Sequence, residues 1–468
     1  MRRVAPDFSS VALGAGVVAT AGVIGVTWSL LAYLLGPSTA AVLPLSALAL
    51  ASVIVRPIIG VYLAFLLVPF EYLAASVGGS FGITPSEAMI ILAAASAAPR
   101  LLLRQEVVAV PTALWAFVGL IVISVTGLVL ATDTFAVIRI TMMWSALAVV
   151  ILLVVHSSER EILGVVVALA ISAAILGVMA ITGISSQEAA AGGAIVQNRA
   201  QGSFAHPTAL AMFLIMIFPL AFAAALAGPP LIRPLMSICA LLSLAGLLLT
   251  HTRGSIVGGA IALLVMLRWA PFRRFAALGL ATIIVLVAFN VGSVRDAGPV
   301  TVVGERLSTI GKLKTRGDER TKIWATTPDI IAEHPFLGVG QGNFPDVSPN
   351  FRLLDIGGQP FDHAHNLLLN VTAELGLVGL FTFAVLIVLL VQAARRALRD
   401  CPTRLYPFAL AASASLLGLA VNSITEYPLR QNVVMATIMI VIALLLAIDR
   451  ISKVERASTG ASPRAAGP

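Results

Sequence analysis

The chain has 468 residues, of which 59% are hydrophobic and only 11% are charged, and its mean hydropathy is +1.00. Soluble domains carry about 25% charged residues, so this composition excludes a water-soluble globule. The formal charge is +8, but the basic residues are scattered between apolar runs and form no aromatic–basic motif, which argues against nucleic acid as a partner. We therefore predict an integral membrane protein that crosses the bilayer many times.

Apolar runs long enough to cross a hydrocarbon core of about 30 Å recur along nearly the whole chain. In chain order the predicted spans are 11–35, 38–55, 57–74, 84–99, 109–131, 136–155, 162–183, 207–227, 231–250, 254–270, 274–291, 366–393, 405–423 and 433–449. Residues 38–74 can also be counted differently. The sequence therefore predicts an all-α polytopic fold with about 12–14 transmembrane helices.

One sizeable segment, 292–364, is not apolar, and it separates the first eleven predicted helices (1–291) from the last three (365–450). We predict that this large loop forms a subdomain outside the membrane rather than an independent domain. Residues 451–468 are rich in Ser, Pro, Gly and Ala, which predicts a disordered tail.

Positive charges are divided unevenly between the two sides of this topology. With the N-terminus inside, eighteen of the 30 Lys and Arg residues lie in inside loops and termini. Only Arg139, Arg199, Arg253 and Arg430 lie in or near short outside loops, and the remaining eight lie in the long loop, which is exempt from the positive-inside rule. We therefore predict both termini in the cytoplasm and the 292–364 loop outside.

Two of the outside arginines stand where spans begin. Arg199 comes shortly before one span, and Arg253 opens another. A guanidinium fork beside the free backbone N–H groups of a helix start suits a phosphate or diphosphate. For each arginine alone, the alternative is simple snorkelling to the lipid headgroups. Both arginines share the predicted outer face with His365, and this combination favours an anion-binding site.

His365 stands where the long polar loop ends and an apolar run resumes. We predict that it lies on the first turn of a transmembrane helix, with Gly376 and Gly379 on the same helix face about three turns further along. Those glycines would let a neighbouring helix or a lipid-linked substrate approach closely. The alternative is an interfacial histidine followed by an ordinary glycine packing motif.

Five motifs, taken in order, resemble those of the O-antigen ligase and polymerase family. They are Asn198-Arg199-x-x-Gly202, Thr252-Arg253-Gly254-Ser255, Glu319-Arg320 followed by Ile323-Trp324, His334-Pro335-Phe336-Leu337-Gly338-Val339-Gly340, and His365-Asn366 with Gly376-x-x-Gly379. Each motif alone is weak evidence for the resemblance, whereas the order of the motifs around one large loop is specific to the family. The resemblance covers roughly residues 195–395.

The resemblance implies a glycosyltransferase C-like architecture in the bacterial cytoplasmic (inner) membrane, with the active site facing outside. It implies an undecaprenyl-diphosphate-linked glycan as donor and a glycan, lipid or protein hydroxyl as acceptor. His365 matches the family's proposed general base, and Arg253 and Arg199 match the arginines thought to hold the diphosphate. Members are considered metal-independent, so neither a metal nor another cofactor is expected. Ligase, polymerase and protein glycosyltransferase activities remain open.

The chemistry of the residues agrees with these roles, because arginines can neutralise a leaving diphosphate and a neutral histidine can deprotonate a hydroxyl. Four further residues are possible accessories. Arg320 could add positive charge to the site or pair with an adjacent acidic residue, and Asn366 could orient the imidazole or the acceptor. His363 could be a second proton carrier or a solvated neighbour. Glu374 is an intramembrane carboxylate, functional by default, or else paired with a nearby arginine or hydroxyl.

Within the long loop, residues 318–334 show the period of an amphipathic helix with Ile323, Trp324, Thr327, Ile330 and Ile331 on one side. Gly338, Gly340 and Gly342 follow without a preceding strand or a Gly-Lys-Ser/Thr motif, which predicts a tight turn rather than a nucleotide loop.

Two other patterns concern charged and metal-ligating side chains. Asp362 with His363 and His365 is the one possible metal-ligand cluster, and we expect no metal there. Glu426 and Arg430, in the last outside loop, are predicted either to pair with each other or to line the path of the acceptor.

Two other classes of protein compete with the transferase. A secondary transporter or lipid-linked glycan flippase would also have many spans, but it should show paired halves with charges near mid-membrane. Here most candidate charges lie at the outer boundary, and one long loop breaks any two-fold pattern. An intramembrane serine protease is weaker still, because Gly254-Ser255 lacks the expected flanking glycines. A lipid-linked glycan transferase is the hypothesis that the sequence favours.

Overall fold

A computed structural model describes residues 37–71, 83–103, 109–130, 134–183, 199–277, 319–351 and 361–459. Numbered in chain order, its longer helices are α1 (Pro37–Val55), α2 (Pro57–Leu67), α3 (Pro85–Leu102), α4 (Thr112–Leu130), α5 (Thr134–Val155), α6 (Glu159–Thr182), α7 (Pro207–Ala227), α8 (Arg233–Leu249), α9 (Arg253–Met266), α10 (Glu319–Glu333), α11 (Leu367–Asp400), α12 (Tyr406–Asn422) and α13 (Asn432–Thr459). Single turns occur at Val68–Phe70, Pro230–Ile232, Phe344–Val347, Ser348–Asn350 and Pro428–Arg430. Residues 270–277 are also helical.

The all-α, multi-span prediction is confirmed. Six of the described helices are long and apolar enough to cross a membrane, and five further apolar helices are shorter. Most predicted spans coincide with observed helices to within a few residues. The predicted span 11–35 and most of the span 274–291 lie outside the described residues.

The predicted disordered tail is wrong at its beginning, because α13 continues to Thr459. Two ion pairs hold this extension to the rest of the bundle. Arg456 Nη2 lies 2.6 Å from Asp400 Oδ1, and Glu455 pairs with Arg404. The sequence reading missed them because their partners lie about fifty positions away along the chain. Residues 460–468 lie outside the described part of the chain.

Helices α7 and α13 form the centre of the bundle. Almost every side chain of α7 is buried, including Phe213 and Phe218 on different faces, and α13 is similarly enclosed over its apolar stretch. A helix that is apolar on all sides is expected to be surrounded by others. The remaining spans pack around this pair, with α8 and α12 against α7 and α5 and α11 against α13.

Close glycine contacts fix how the helices that carry the site meet. A Cβ atom built on Gly258 of α9 would lie 2.2 Å from the carbonyl oxygen of Gly418 on α12, and one on Gly418 would lie 2.6 Å from that of Gly258. Only glycine allows two helix backbones to approach this closely, a common device in membrane bundles. The contact places the start of α9 beside the end of α12.

The bundle has two ends, which we call the site end and the opposite end. The site end contains the starts of α9, α11 and α13 and the end of α12. It is defined by hydrogen bonds such as Leu367 N–H to Ser423 O at 3.0 Å and Ser255 Oγ to Asn422 Oδ1 at 3.0 Å. At the opposite end the starts of α6 and α12 meet the end of α13, where Arg404 binds both Glu159 and Glu455.

Candidate active site

Helix α11 begins at Leu367, one residue after the predicted start of this span. Asn366 is its N-cap, accepting a hydrogen bond from Leu369 N–H at 3.0 Å, and its amide nitrogen donates to Ile424 O at 2.9 Å. His365 therefore precedes the helix instead of lying on its first turn. Its backbone adopts the left-handed conformation, with φ 48°, which non-glycine residues rarely occupy.

Gly376 breaks α11, with φ 66° and ψ −170°. The loop segment that starts at Pro335 fills the break. Val339 N–H donates to Ala373 O and Leu377 N–H to Pro335 O, at 2.9 and 2.8 Å. These bonds satisfy backbone groups that a broken helix leaves unpaired. The motif that begins at His334-Pro335 and the Gly376 motif are therefore one structural unit.

The predicted role of the glycines in making room for a lipid is accordingly wrong for Gly376. A Cβ atom there would lie 2.1 Å from Phe336 O, so the loop backbone occupies the space. Because the helix is broken at this point, the predicted alignment of both glycines on the histidine's helix face is wrong as well. The prediction assumed a regular helix through Gly376. At this position the backbone instead pairs with the loop segment that starts at Pro335, which is more favourable.

Helix α10 confirms the predicted amphipathic helix and its buried face. Ile323 and Ile330 pack with Val339, Phe344, Ala364 and Ala373 in a small apolar core. Gly338, Gly340 and Gly342 follow with positive φ, as a tight turn requires. The loop described here thus rests directly on the first part of α11.

Ala364 is held from both sides, and this places the two histidines that flank it. Its N–H donates to the buried side chain of Asn370 at 2.8 Å, and its carbonyl accepts from Trp324 Nε1 at 2.9 Å. The imidazoles of His363 and His365 meet edge to face with ring centroids 4.1 Å apart. The pair is therefore positioned by α10 and α11 together.

Glu426 is the acidic partner of this pair. Its side chain is only 4% exposed; one oxygen lies 3.5 Å from His365 Nδ1, and the other binds Arg320. Of the two alternatives for Glu426 and Arg430, a pair between them is not observed among the described side chains. Arg430 instead binds Asp362, at 3.0 Å between Nη2 and Oδ2. Arg320 thus pairs with a residue of another loop, Glu426.

His363, a member of this histidine pair, and Glu374 are two further titratable side chains near Glu426. Burial, followed by the proximity of His365 and Arg430, lowers the pKa of His363 to about 3, so its imidazole is neutral. Glu374 is buried in α11, where its Oε2 lies 3.4 Å from the hydroxyl of Tyr427. Of the two kinds of partner considered for Glu374, the structure shows a hydroxyl.

Arg199 joins the site end through the connection between α8 and α9. Its Nε donates to Thr250 O and its Nη2 to Thr252 Oγ1, both at 2.9 Å. The neighbouring residue His251 has a strained backbone, with φ 49°. The guanidinium therefore lies at the end of α8, next to the first residue of α9.

Arg253 is that first residue, and its side chain is exposed. The residues that follow it bind α12, which leads directly into the loop that carries Glu426. A continuous set of contacts therefore runs from Arg199 through Thr252, Ser255 and Asn422 to the loop behind His365. The structure brings the three predicted site residues to one end of the bundle.

An apolar cavity of about 330 Å³ begins beside this end and runs between α4, α5, α11, α12 and α13. Leu367, Ser423 and Pro428 line it near the site end. Leu445, which lines its far part, lies about 20 Å along α13 from the start of that helix. Ile387, on its wall, is 44% exposed, so the cavity opens sideways between helices.

The cluster contains the ligand types of a metal site. One nitrogen of His363, one of His365 and one oxygen of Glu426 all lie within 4.8 Å of one another. Asp362, predicted as the third possible ligand, is instead engaged by Arg430. Glu426 takes that position, a contact that sequence spacing could not reveal because it lies 61 positions beyond His365.

The fold and its apolar helices define a multi-pass, all-helical membrane protein with one polar site at an end of the bundle. Residues 238–384 match the family model described as O-antigen ligase. This match agrees with the resemblance to the O-antigen ligase family that the motifs suggested. The match includes Arg253, Arg320 and His365, whereas Arg199 and Glu426 lie outside it.

Curated proteins and solved structures give less information about this chain than the family model. No curated protein matches the chain. A chain in a solved structure described as "Structural coordination of polymerization and crosslinking by a peptidoglycan synthase complex" is similar at 19% identity. The similarity covers 72% of this chain and 98% of that chain, with a TM-score of 0.39. A likeness at this level carries no argument about this protein.

Proposed function

We propose that this protein transfers a glycan from an undecaprenyl-diphosphate-linked donor to a hydroxyl acceptor, as a ligase- or polymerase-type glycosyltransferase. One observation supports this most. The imidazole of His365, backed by the carboxylate of Glu426, lies at the same end of the bundle as Arg199 and Arg253. Such a site combines a base for a hydroxyl with cations for a leaving diphosphate.

In the proposed reaction, Nε2 of His365 removes the proton of the acceptor hydroxyl as its oxygen attacks the anomeric carbon of the donor sugar. The bond between that carbon and the diphosphate oxygen breaks, and the diphosphate leaves with the electron pair. The proton stays on the imidazole until water removes it. Glu426, 3.5 Å from Nδ1, orients the ring and stabilises the imidazolium.

Arg253 and Arg199 hold the diphosphate in this proposal. Arg253 is exposed at the first position of α9, where free backbone N–H groups also face an anion. Arg199 stands next to it through Thr252. An arginine fork binds two phosphate oxygens at once, so it both positions the leaving group and balances its growing charge.

In this proposal the first part of the donor's polyprenyl chain lies in the apolar cavity beside α11. The cavity starts at Leu367, adjacent to Asn366, and is lined almost entirely by apolar side chains. Its sideways opening would let a membrane lipid enter without leaving the bilayer. The basic residues of the opposite end favour the cytoplasm for that end, which would place the transfer site on the outer face of the cytoplasmic membrane.

Replacement of His365 by Ala tests the proposal. We expect the purified variant to bind the lipid-linked donor nearly as tightly as the parent protein but to form product at least a hundredfold more slowly, because the base is missing. His334→Ala is the matched control, since His334 is an exposed histidine of the same loop. Donor binding and product formation are measured on the same samples. A folded His365→Ala protein with near-normal turnover would remove His365 from the mechanism.

A further inference from the structure

We infer that His363, His365 and Glu426 form a binding site for a borderline divalent cation such as Zn²⁺, and that the bound ion switches off transfer. The binding site depends only on the geometry of these three side chains. The inhibitory effect rests on the proposed function, in which His365 is the base. A resident catalytic metal is not part of the inference.

The ligand types and their spacing fit zinc. One nitrogen from each imidazole and one carboxylate oxygen lie within 4.8 Å of one another. Zinc bonds to nitrogen and carboxylate oxygen are about 2.0–2.2 Å long, so ligands on one ion lie about 3–4 Å apart. A contraction of about 1 Å would close the cluster. Imidazole ligands favour zinc over magnesium or calcium, which prefer oxygen.

A second observation in favour of the binding site is a pair of unsatisfied nitrogen atoms. The Nδ1 atoms of His363 and His365 are both buried, and neither has a hydrogen-bond partner among the described residues. Buried polar atoms are ordinarily paired, so a ligand that accepts both lone pairs would remove the free-energy cost of leaving these nitrogens unpaired. Glu426 is already oriented for this purpose, because Arg320 binds its other oxygen, as is usual for metal-ligating carboxylates.

The surrounding charges determine what kind of site this is. Arg320 faces Glu426 directly, and Arg430 faces Asp362 next to His363. Two guanidinium groups near the cluster disfavour a cation, so the site should bind reversibly rather than retain a permanent ion. Three protein ligands would leave a fourth position of zinc for water.

A bound ion would disable the base by occupying its lone pair. Coordination through Nδ1 of His365 fixes the remaining proton on Nε2, which then faces the acceptor as a donor and cannot remove a proton. The ion would also take the Glu426 oxygen that stabilises the imidazolium. Transfer is therefore expected to fall as the site fills.

Metal binding to the purified full chain tests the site directly. The protein is stripped with a chelator, dialysed against graded free Zn²⁺, and its bound zinc is measured by elemental analysis. We expect saturation at one ion per chain, with binding at least tenfold weaker in His363→Ala and in Glu426→Gln and unchanged in His334→Ala. Co²⁺ should give the visible absorption of a low-symmetry nitrogen–oxygen site. No saturable zinc, or equal binding in all variants, would overturn the inference.

The transfer assay separates the two parts of the inference. If the proposed function holds, zinc should inhibit the parent protein over the same concentration range in which it binds. Stoichiometric binding with unaltered transfer would overturn the inhibitory role, and faster transfer would overturn it too. Loss of binding in the variants, measured without any glycan substrate, would support the site even if the proposed function failed.

Discussion

The two ends of the bundle use charged side chains in different ways. At the opposite end, acidic side chains pair with basic ones. Arg404, 54% exposed, binds Glu159 and Glu455 in open pairs, and the more buried Asp449 is bound by both Arg396 and Lys453. At the site end, Glu426 is 4% exposed and faces both Arg320 and an imidazole. The histidine nitrogens beside it have no hydrogen-bond partner among the described residues.

Under the proposed function, this difference separates charges that hold helices together from charges that take part in the reaction. Exposed ion pairs contribute about 0–1 kcal/mol each and tolerate replacement. Strained backbones and unpaired buried atoms cost stability and persist where the surrounding fold enforces them. Within the described residues, the non-glycine residues with positive φ are His251 and His365, and both lie at the site end.

After His365→Ala, the largest effect is expected for Arg253→Lys and Arg199→Lys at the site end. Both variants keep their charge. Arg253→Lys loses the planar fork that would bind two phosphate oxygens, and Arg199→Lys loses the bonds to Thr250 and Thr252 that hold its charge beside Arg253. Transfer should fall by about tenfold to a hundredfold, equivalent to about 1.4–2.8 kcal/mol of transition-state stabilisation, with little change in thermal stability for Arg253→Lys, whose side chain is exposed.

Arg233→Lys is the matched control for these two variants, because Arg233 also opens a helix but at the opposite end. Rates are measured with saturating acceptor and graded lipid-linked donor. If both site-end lysine variants transfer glycan as fast as the control, the diphosphate clamp is wrong.

A smaller effect is expected for Glu426→Gln. The amide keeps the shape of the side chain but removes the charge that stabilises a protonated His365, so transfer should fall about tenfold, in line with hydrogen bonds to charged groups. The measurement is the transfer rate with zinc chelated throughout, alongside donor binding, which should hardly change. A rate equal to that of the parent protein would show that Glu426 has no part in positioning the base.

The smallest effect is expected for Arg404→Gln at the opposite end. The side chain is exposed and its pairs are open to water, so the free energy of unfolding should change by less than about 1 kcal/mol. Transfer should stay at the parent rate. A loss of transfer comparable to that of Arg253→Lys would show that the two ends do not differ in their importance for transfer.

Most residues of the candidate site could be predicted from the sequence, but their geometry could not. Arg199, Arg253 and His365 could be assigned to one side because charge bias and span counting depend on composition alone. The buried face of α10 could be read from its helical period. Glu426 and its contact with His365 could not, because they join separate loops that only the packed bundle brings together.

The sequence by itself determined that this is a multi-span helical membrane protein, since long apolar runs can satisfy their backbone groups in a bilayer only as helices. It also determined the order of the motifs. The tertiary structure alone decided that Gly376 breaks α11 to accept the loop after Pro335, and that His365 stands before the helix rather than on it. The reason is physical: helical period is a local property, whereas a helix break depends on a distant backbone that supplies the missing hydrogen bonds.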